Sequence, residues 1–142
     1  MDLLLILRDA LASSLVGGLS LALEAKGAGQ EVGVVFTQEA LAAAAAGSFA
    51  WPRELAGQEM RLRLADRGKA AGLPILGRGE GRQLDAKALI ARAAEAGVAL
   101  YACPVWSALL GLEGAPPPGL RALDVAGLLD LMQDAKRIVG AL

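Results

Sequence analysis

The sequence predicts an α/β fold in which a parallel sheet is covered on both faces by helices. Three observations lead there. Apolar runs of strand length, from Leu3 to Leu7, Glu31 to Phe36 and Val98 to Cys103, are too continuous for half-exposed strands and read as buried ones. Segments with helical spacing separate these runs. Hydrophobic residues make up 55% of the 142, and much of that is alanine, which lets helices approach a sheet closely. A chain of this length buries most of its apolar surface as one domain, so residues 1–142 are expected to form a single unit.

Each element follows from local signals. After the first strand, Leu11, Leu15, Leu19 and Leu23 form a stripe of period four that ends near Gly27 and Gly29. Within it Ser13, Ser14, Gly17 and Gly18 are weak helix formers, which predicts close packing on their side of the helix. Thr37 stands where it caps a second helix, running from Gln38 through the alanines to Gly47. Residues 47–82 form an extended segment. Trp51-Pro52-Arg53-Glu54 resembles a helix start, and Leu55 to Ala71 reads as helix, although Met60 to Leu64 alternates like a strand. Leu73 to Leu76 is a short extended piece. Gly77 to Gly81 lacks the spacing of a phosphate-binding loop and reads as a flexible connection; Arg78 and Arg82 flank a weaker ligand-binding alternative. Leu84 to Ala96 is an amphipathic helix with Asp85 as its cap and Gly97 as its end. Three prolines between Glu113 and Gly119 give an extended loop. Leu120 to Val125 reads as an inner strand, Ala126 to Ala135 as a helix, and Arg137 to Val139 as a final short strand.

The stretch with chemical character is Val98 to Gly111. Its apolar run ends at Cys103, the one cysteine of the chain, followed directly by Pro104. A residue before proline is held extended, and proline suits the first position of a helix. Cys103 is therefore expected where a strand ends and a helix begins. The functional crevice of an open α/β sheet lies at that edge, and a helix start favours negative charge by about 0.3–1 kcal/mol. Two readings of the thiol stand side by side, a sulfur nucleophile and a small buried hydrophobe. Arg8 ends the first strand and is either a cation near the thiol or a plain surface charge. Thr37, at the equivalent end of the second strand, is either a hydrogen-bond donor to the site or the helix cap. Trp106 either walls the site or packs the core.

Composition excludes several functions. The chain has no histidine, so Ser-His-Asp and Cys-His pairs and histidine metal sites are ruled out within it. One cysteine leaves no intrachain disulfide and no cysteine-cluster metal site, and neither a metal nor an organic cofactor is expected. A net charge of −1 and five aromatic residues argue against nucleic acid. The N terminus lacks a basic region before its short apolar run, and no apolar stretch reaches a membrane-spanning length. A cytoplasmic location without membrane contact is the expectation.

Beyond these residue-level signals, the segment Glu95-Ala96-Gly97-Val98-Ala99-Leu100-Tyr101-Ala102-Cys103-Pro104, with the helix to Leu110-Gly111, resembles the DsrE/DsrF-like family of sulfur-relay proteins. Gly119-Leu120, Ala126 to Leu131 and Asp134 to Val139 continue the pattern, as do the first strand and Val32 to Thr37. The resemblance covers residues 1–46 and 84–142. It implies a three-layer α/β/α fold with a five-stranded, mostly parallel sheet. It implies that Cys103 carries sulfane sulfur as a persulfide between a donor and an acceptor protein; from their positions in the sequence, Arg8, Thr37, Pro104 and Trp106 are the candidate supporting residues. It also implies homo- or hetero-oligomers, trimers or hexamers. The alternatives are a non-catalytic oligomeric subunit and a small-ligand-binding module.

Overall fold

The computed structural model describes residues 1–77 and 82–140. The chain runs β1 (Leu3–Leu7), α1 (Ala12–Gly27), β2 (Val32–Phe36), α2 (Gln38–Ala46), a single 3-10 turn (Arg53–Leu55), α3 (Gln58–Ala70), β3 (Ile75–Leu76), β4 (Gln83–Leu84), α4 (Ala86–Glu95), β5 (Ala99–Ala102), α5 (Pro104–Leu109), α6 (Val125–Asp134) and β6 (Ile138–Val139). The central sheet has the order β5-β2-β1-β6, and every neighbouring pair in it is parallel. The α/β class is as the sequence predicts. β3 and β4 form a separate antiparallel pair.

Three expectations need correction. Among the described residues the central sheet has four strands, not five. The missing strand is Leu120 to Val125. Only Arg121 reaches the sheet, bridging to Tyr101, because Gly119 turns the chain at φ +87° and Asp124 already caps α6 through the Gly127 N–H. Leu84 lies in β4 rather than in the following helix, which starts one residue after Asp85; the Asp85 carboxylate accepts the Ala88 N–H as a cap should. The helix expected at Pro52 is only the 3-10 turn, and Gly57 is the boundary from which α3 proper starts.

The strands alternate their side chains between the two faces, and the two faces are filled differently. Leu3, Leu5 and Leu7 of β1, Val32, Val34 and Phe36 of β2, and Leu100 and Ala102 of β5 point one way. They meet Leu15 and Leu19 of α1, Leu41 of α2 and Leu89 and Ile90 of α4 in one continuous core. At Gly18 a side chain has no room: an added Cβ would lie 2.7 Å from the Leu7 Cδ2 atom, so the glycine lets α1 sit directly on β1. Leu4, Val35 and Cys103 point the other way, toward Leu128, Leu131 and Met132 of α6. The result is three layers with the sheet in the middle.

Candidate functional site

The central strands finish together. Leu7 pairs with Phe36, and Phe36 with Ala102, so the next residues in each chain segment, Arg8, Thr37 and Cys103, line one edge of the sheet. The ladder continues one step past the strands. The Thr37 N–H donates to the Leu7 carbonyl at 2.9 Å, and the Cys103 N–H donates to the Phe36 carbonyl at 2.9 Å. Neighbouring strands are about 4.8 Å apart, which places the Cys103 backbone one strand from Thr37 and two from Arg8. Alternation carried one residue further assigns all three to the face that holds Leu4 and Val35.

Cys103 occupies the position anticipated for it. It has φ −58° and ψ 128° and is the cap residue of α5; its carbonyl accepts the Ser107 N–H at 2.8 Å, and Pro104 fills the first helical position. The residue is 7% exposed and packs with Leu4 and Val35, with Tyr101 and Trp106 at the margin of the same cluster. α5 has only six residues, fewer than two turns, so the helix-terminus field acting on the thiol is that of a short dipole. Arg8 is exposed, and its carbonyl accepts the Ala40 N–H at 3.2 Å. Thr37 takes the cap position of α2, but its side chain makes no cap hydrogen bond; its carbonyl receives the Ala40 N–H instead. Trp106 is half-buried and touches both core clusters, so it packs the core and borders the thiol at once. A shallow cavity of about 310 Å³ opens beside Pro104 and Ser107, bounded on its far side by Leu123 to Val125.

Two residues at this edge had no role in the sequence reading. Gln38 follows Thr37 with φ +51°, a left-handed conformation that costs a non-glycine residue roughly 1–2 kcal/mol. Glutamine gives no hint of it in sequence. Asp9 follows Arg8 and organises the turn into α1, accepting the Leu11 N–H at 3.0 Å on one oxygen and the Ser14 hydroxyl at 2.9 Å on the other. That signal was present, an aspartate ahead of a helix with a serine within reach. The Gly77 to Gly81 loop and Arg78 lie almost wholly outside the described residues; Arg82 is described and pairs with Asp66. Among the described residues no group of three or more acidic or cysteine side chains is placed to hold a metal ion, and no helix is long and apolar enough to cross a membrane.

No protein-family model matches the chain, and no curated protein matches it. Among solved structures it is similar to the ychN protein from E. coli, with a TM-score of 0.59 and 14% identity, over 99% of this chain and 100% of that one. At that identity the likeness establishes the fold alone: a parallel sheet between layers of helices.

Proposed function

We propose that this chain is a single DsrE/DsrF-like domain that holds sulfane sulfur on Cys103 and relays it to a partner protein. The observation that carries the reading is the position of Cys103, where the fifth strand's end meets a helix start on the edge shared with Arg8 and Thr37. In loading, the Cys103 thiolate attacks the outer sulfur of a donor persulfide. A new sulfur–sulfur bond forms on Cys103, the donor's own sulfur–sulfur bond breaks, and the donor cysteine leaves as a thiolate. Delivery repeats the step with an acceptor thiolate, so neither transfer needs an outside oxidant or reductant. One thiol suffices, and the lack of a second cysteine means that no internal disulfide competes for the bound sulfur. Arg8 supplies positive charge on the same edge, and Trp106 screens the sulfur from water.

Intact-mass measurement after incubation with a persulfide-loaded sulfurtransferase tests this. The native chain is expected to gain one sulfur atom, removable by reductant, while Cys103→Ser gains none. Equal loading of the two would sink the proposal.

A non-catalytic oligomeric subunit is the second reading, favoured by a run of exposed apolar side chains near the thiol. Val105 and Leu109 of α5 are 53% and 68% exposed, and Val125 and Leu129 of α6 are 53% and 59% exposed. Large exposed apolar patches are a feature of interaction surfaces, and these four side chains support the reading on that ground. Assembly over this face is compatible with either reading; an assembled native chain whose thiol accepts no sulfur from the donor selects the second.

A further inference from the structure

Gln38 carries a backbone cost that no hydrogen bond of its side chain offsets among the described residues. It is the one non-glycine residue among them with a positive φ, at +51°. At the other eight such positions the chain has glycine, for which the conformation costs little. A glycine at position 38 would make the same turn between β2 and α2. The turn therefore explains the backbone and leaves the side chain unexplained.

Its location is equally specific. β2 runs between β1 and β5, so the chain leaving β2 passes between the ends that bear Arg8 and Cys103. Two hydrogen bonds hold it there. The Cys103 N–H reaches the Phe36 carbonyl at 2.9 Å, two residues before Gln38, and the Ala40 N–H, two residues after, reaches the Arg8 carbonyl at 3.2 Å. α2 and α5, the helices that start on either side of this edge, are in contact. Gln38 itself is half-buried. Residues held in left-handed geometry by their surroundings cluster at ligand-binding and catalytic sites.

We infer that Gln38 acts on the sulfur donor: its side-chain N–H donates a hydrogen bond to the donor sulfur that departs when Cys103 is loaded. The inference rests on the sulfur-carrier reading of Cys103. In loading, the Cys103 Sγ atom bonds the outer sulfur of the donor persulfide, the donor's sulfur–sulfur bond breaks, and its electron pair leaves on the donor thiolate. Negative charge thus moves from Cys103 to the departing sulfur. A fixed N–H aimed at charge that develops during a reaction lowers its barrier.

Sulfur loading from glutathione persulfide, followed by intact mass against time, is the test, with alkylation of the thiol by iodoacetamide beside it. The native chain is expected to load, and Gln38→Gly to load about tenfold more slowly, the equivalent of one hydrogen bond to a charged group. The glycine variant should melt at or above the native temperature, since relief of the left-handed strain offsets the extra freedom of its unfolded chain. Gln38→Glu keeps the shape and replaces the donor by a carboxylate. It should load at least as slowly, and it keeps the test decisive if the glycine variant fails to fold. Alkylation releases no donor thiolate and should stay within about twofold of the native rate in both variants. Either variant loading as fast as the native chain overturns the inference and leaves the sulfur-carrier reading standing. A native chain that loads no sulfur overturns both. Equal slowing of loading and alkylation overturns the inference too, because Gln38 would then act on the thiol itself.

Discussion

The two faces of the central sheet are built to different standards. On one, three helices press buried leucines and alanines into the sheet, and Phe36, Leu5, Leu15 and Leu89 are fully enclosed. On the other, Leu4, Val35 and Cys103 are the buried residues among those described, and neither α5 nor α6 contributes one. The asymmetry separates two jobs. The closed face holds most of the buried core, while the open face holds the thiol beneath a thin, apolar cover.

The difference is largest, and easiest to break, in the response to cavities. Phe36→Ala removes a fully buried ring from the closed face and is expected to cost about 3–5 kcal/mol in urea unfolding. Met132→Ala on the open face, where the side chain is half-buried, should cost less than about 1 kcal/mol. Comparable losses would mean that the open face is as tightly built as the closed one. The adjacent glycines of α1 sharpen the same contrast within one helix turn. Gly18→Ala pushes a methyl group into Leu7 and should destabilise by about 1–3 kcal/mol, whereas Gly17→Ala, facing open space, should stabilise by about 0.5–1 kcal/mol. Thermal melts of the two variants should move in opposite directions.

The smallest effect lies at the sheet edge far from the thiol. The Asp2 carboxylate accepts the Glu31 N–H at 2.8 Å and the Lys136 ammonium at 2.7 Å, joining the starts of the first two strands to the approach of the last. The backbone N–H, and after it the ammonium, lower its pKa from 3.8 to about 2. A carboxylate held down in this way stabilises the fold above the unfolded value and loses that contribution as pH falls from 3.8 toward 2. The acid unfolding curve of Asp2→Asn should therefore be flatter than the native one across that window, and a carboxyl resonance titrating near 4 would remove the assignment.

Legibility in the sequence followed how local each determinant is. β1, β2 and β5 are continuous apolar runs and could be read directly, as could Asp85, whose capping bond spans three residues. The placement of Cys103 was equally legible, because Pro104 fixes the geometry on both sides of it. The strand expected at Leu120 to Val125 failed because its apolar residues belong to a loop that touches β5 at Arg121 alone, a matter of where the proline-rich segment delivers the chain. Ser13, Ser14, Gly17 and Gly18 had a single predicted cause, close packing, yet Ser14 bonds Asp9, Gly18 packs, and Gly17 borders a cavity. That cavity was illegible. The arginines at its border come from α3 and from the residue just before β4, and only tertiary structure brings them to the side of α1.

The order of pairing in the sheet also sets a schedule. Leu3 meets Val32, Gly33 meets Ala99, and Leu4 meets Ile138, each pair more distant along the chain than the one before. Closing a longer loop costs more entropy, so the β1–β2 ribbon is expected to assemble early, β5 to dock next, and the two-residue β6 to arrive last. In hydrogen exchange the amides that β1 shares with β6 should lose protection first, and those between β1 and β2 should persist until the whole molecule opens. The sheet thus frays from the flank where its final strand was laid.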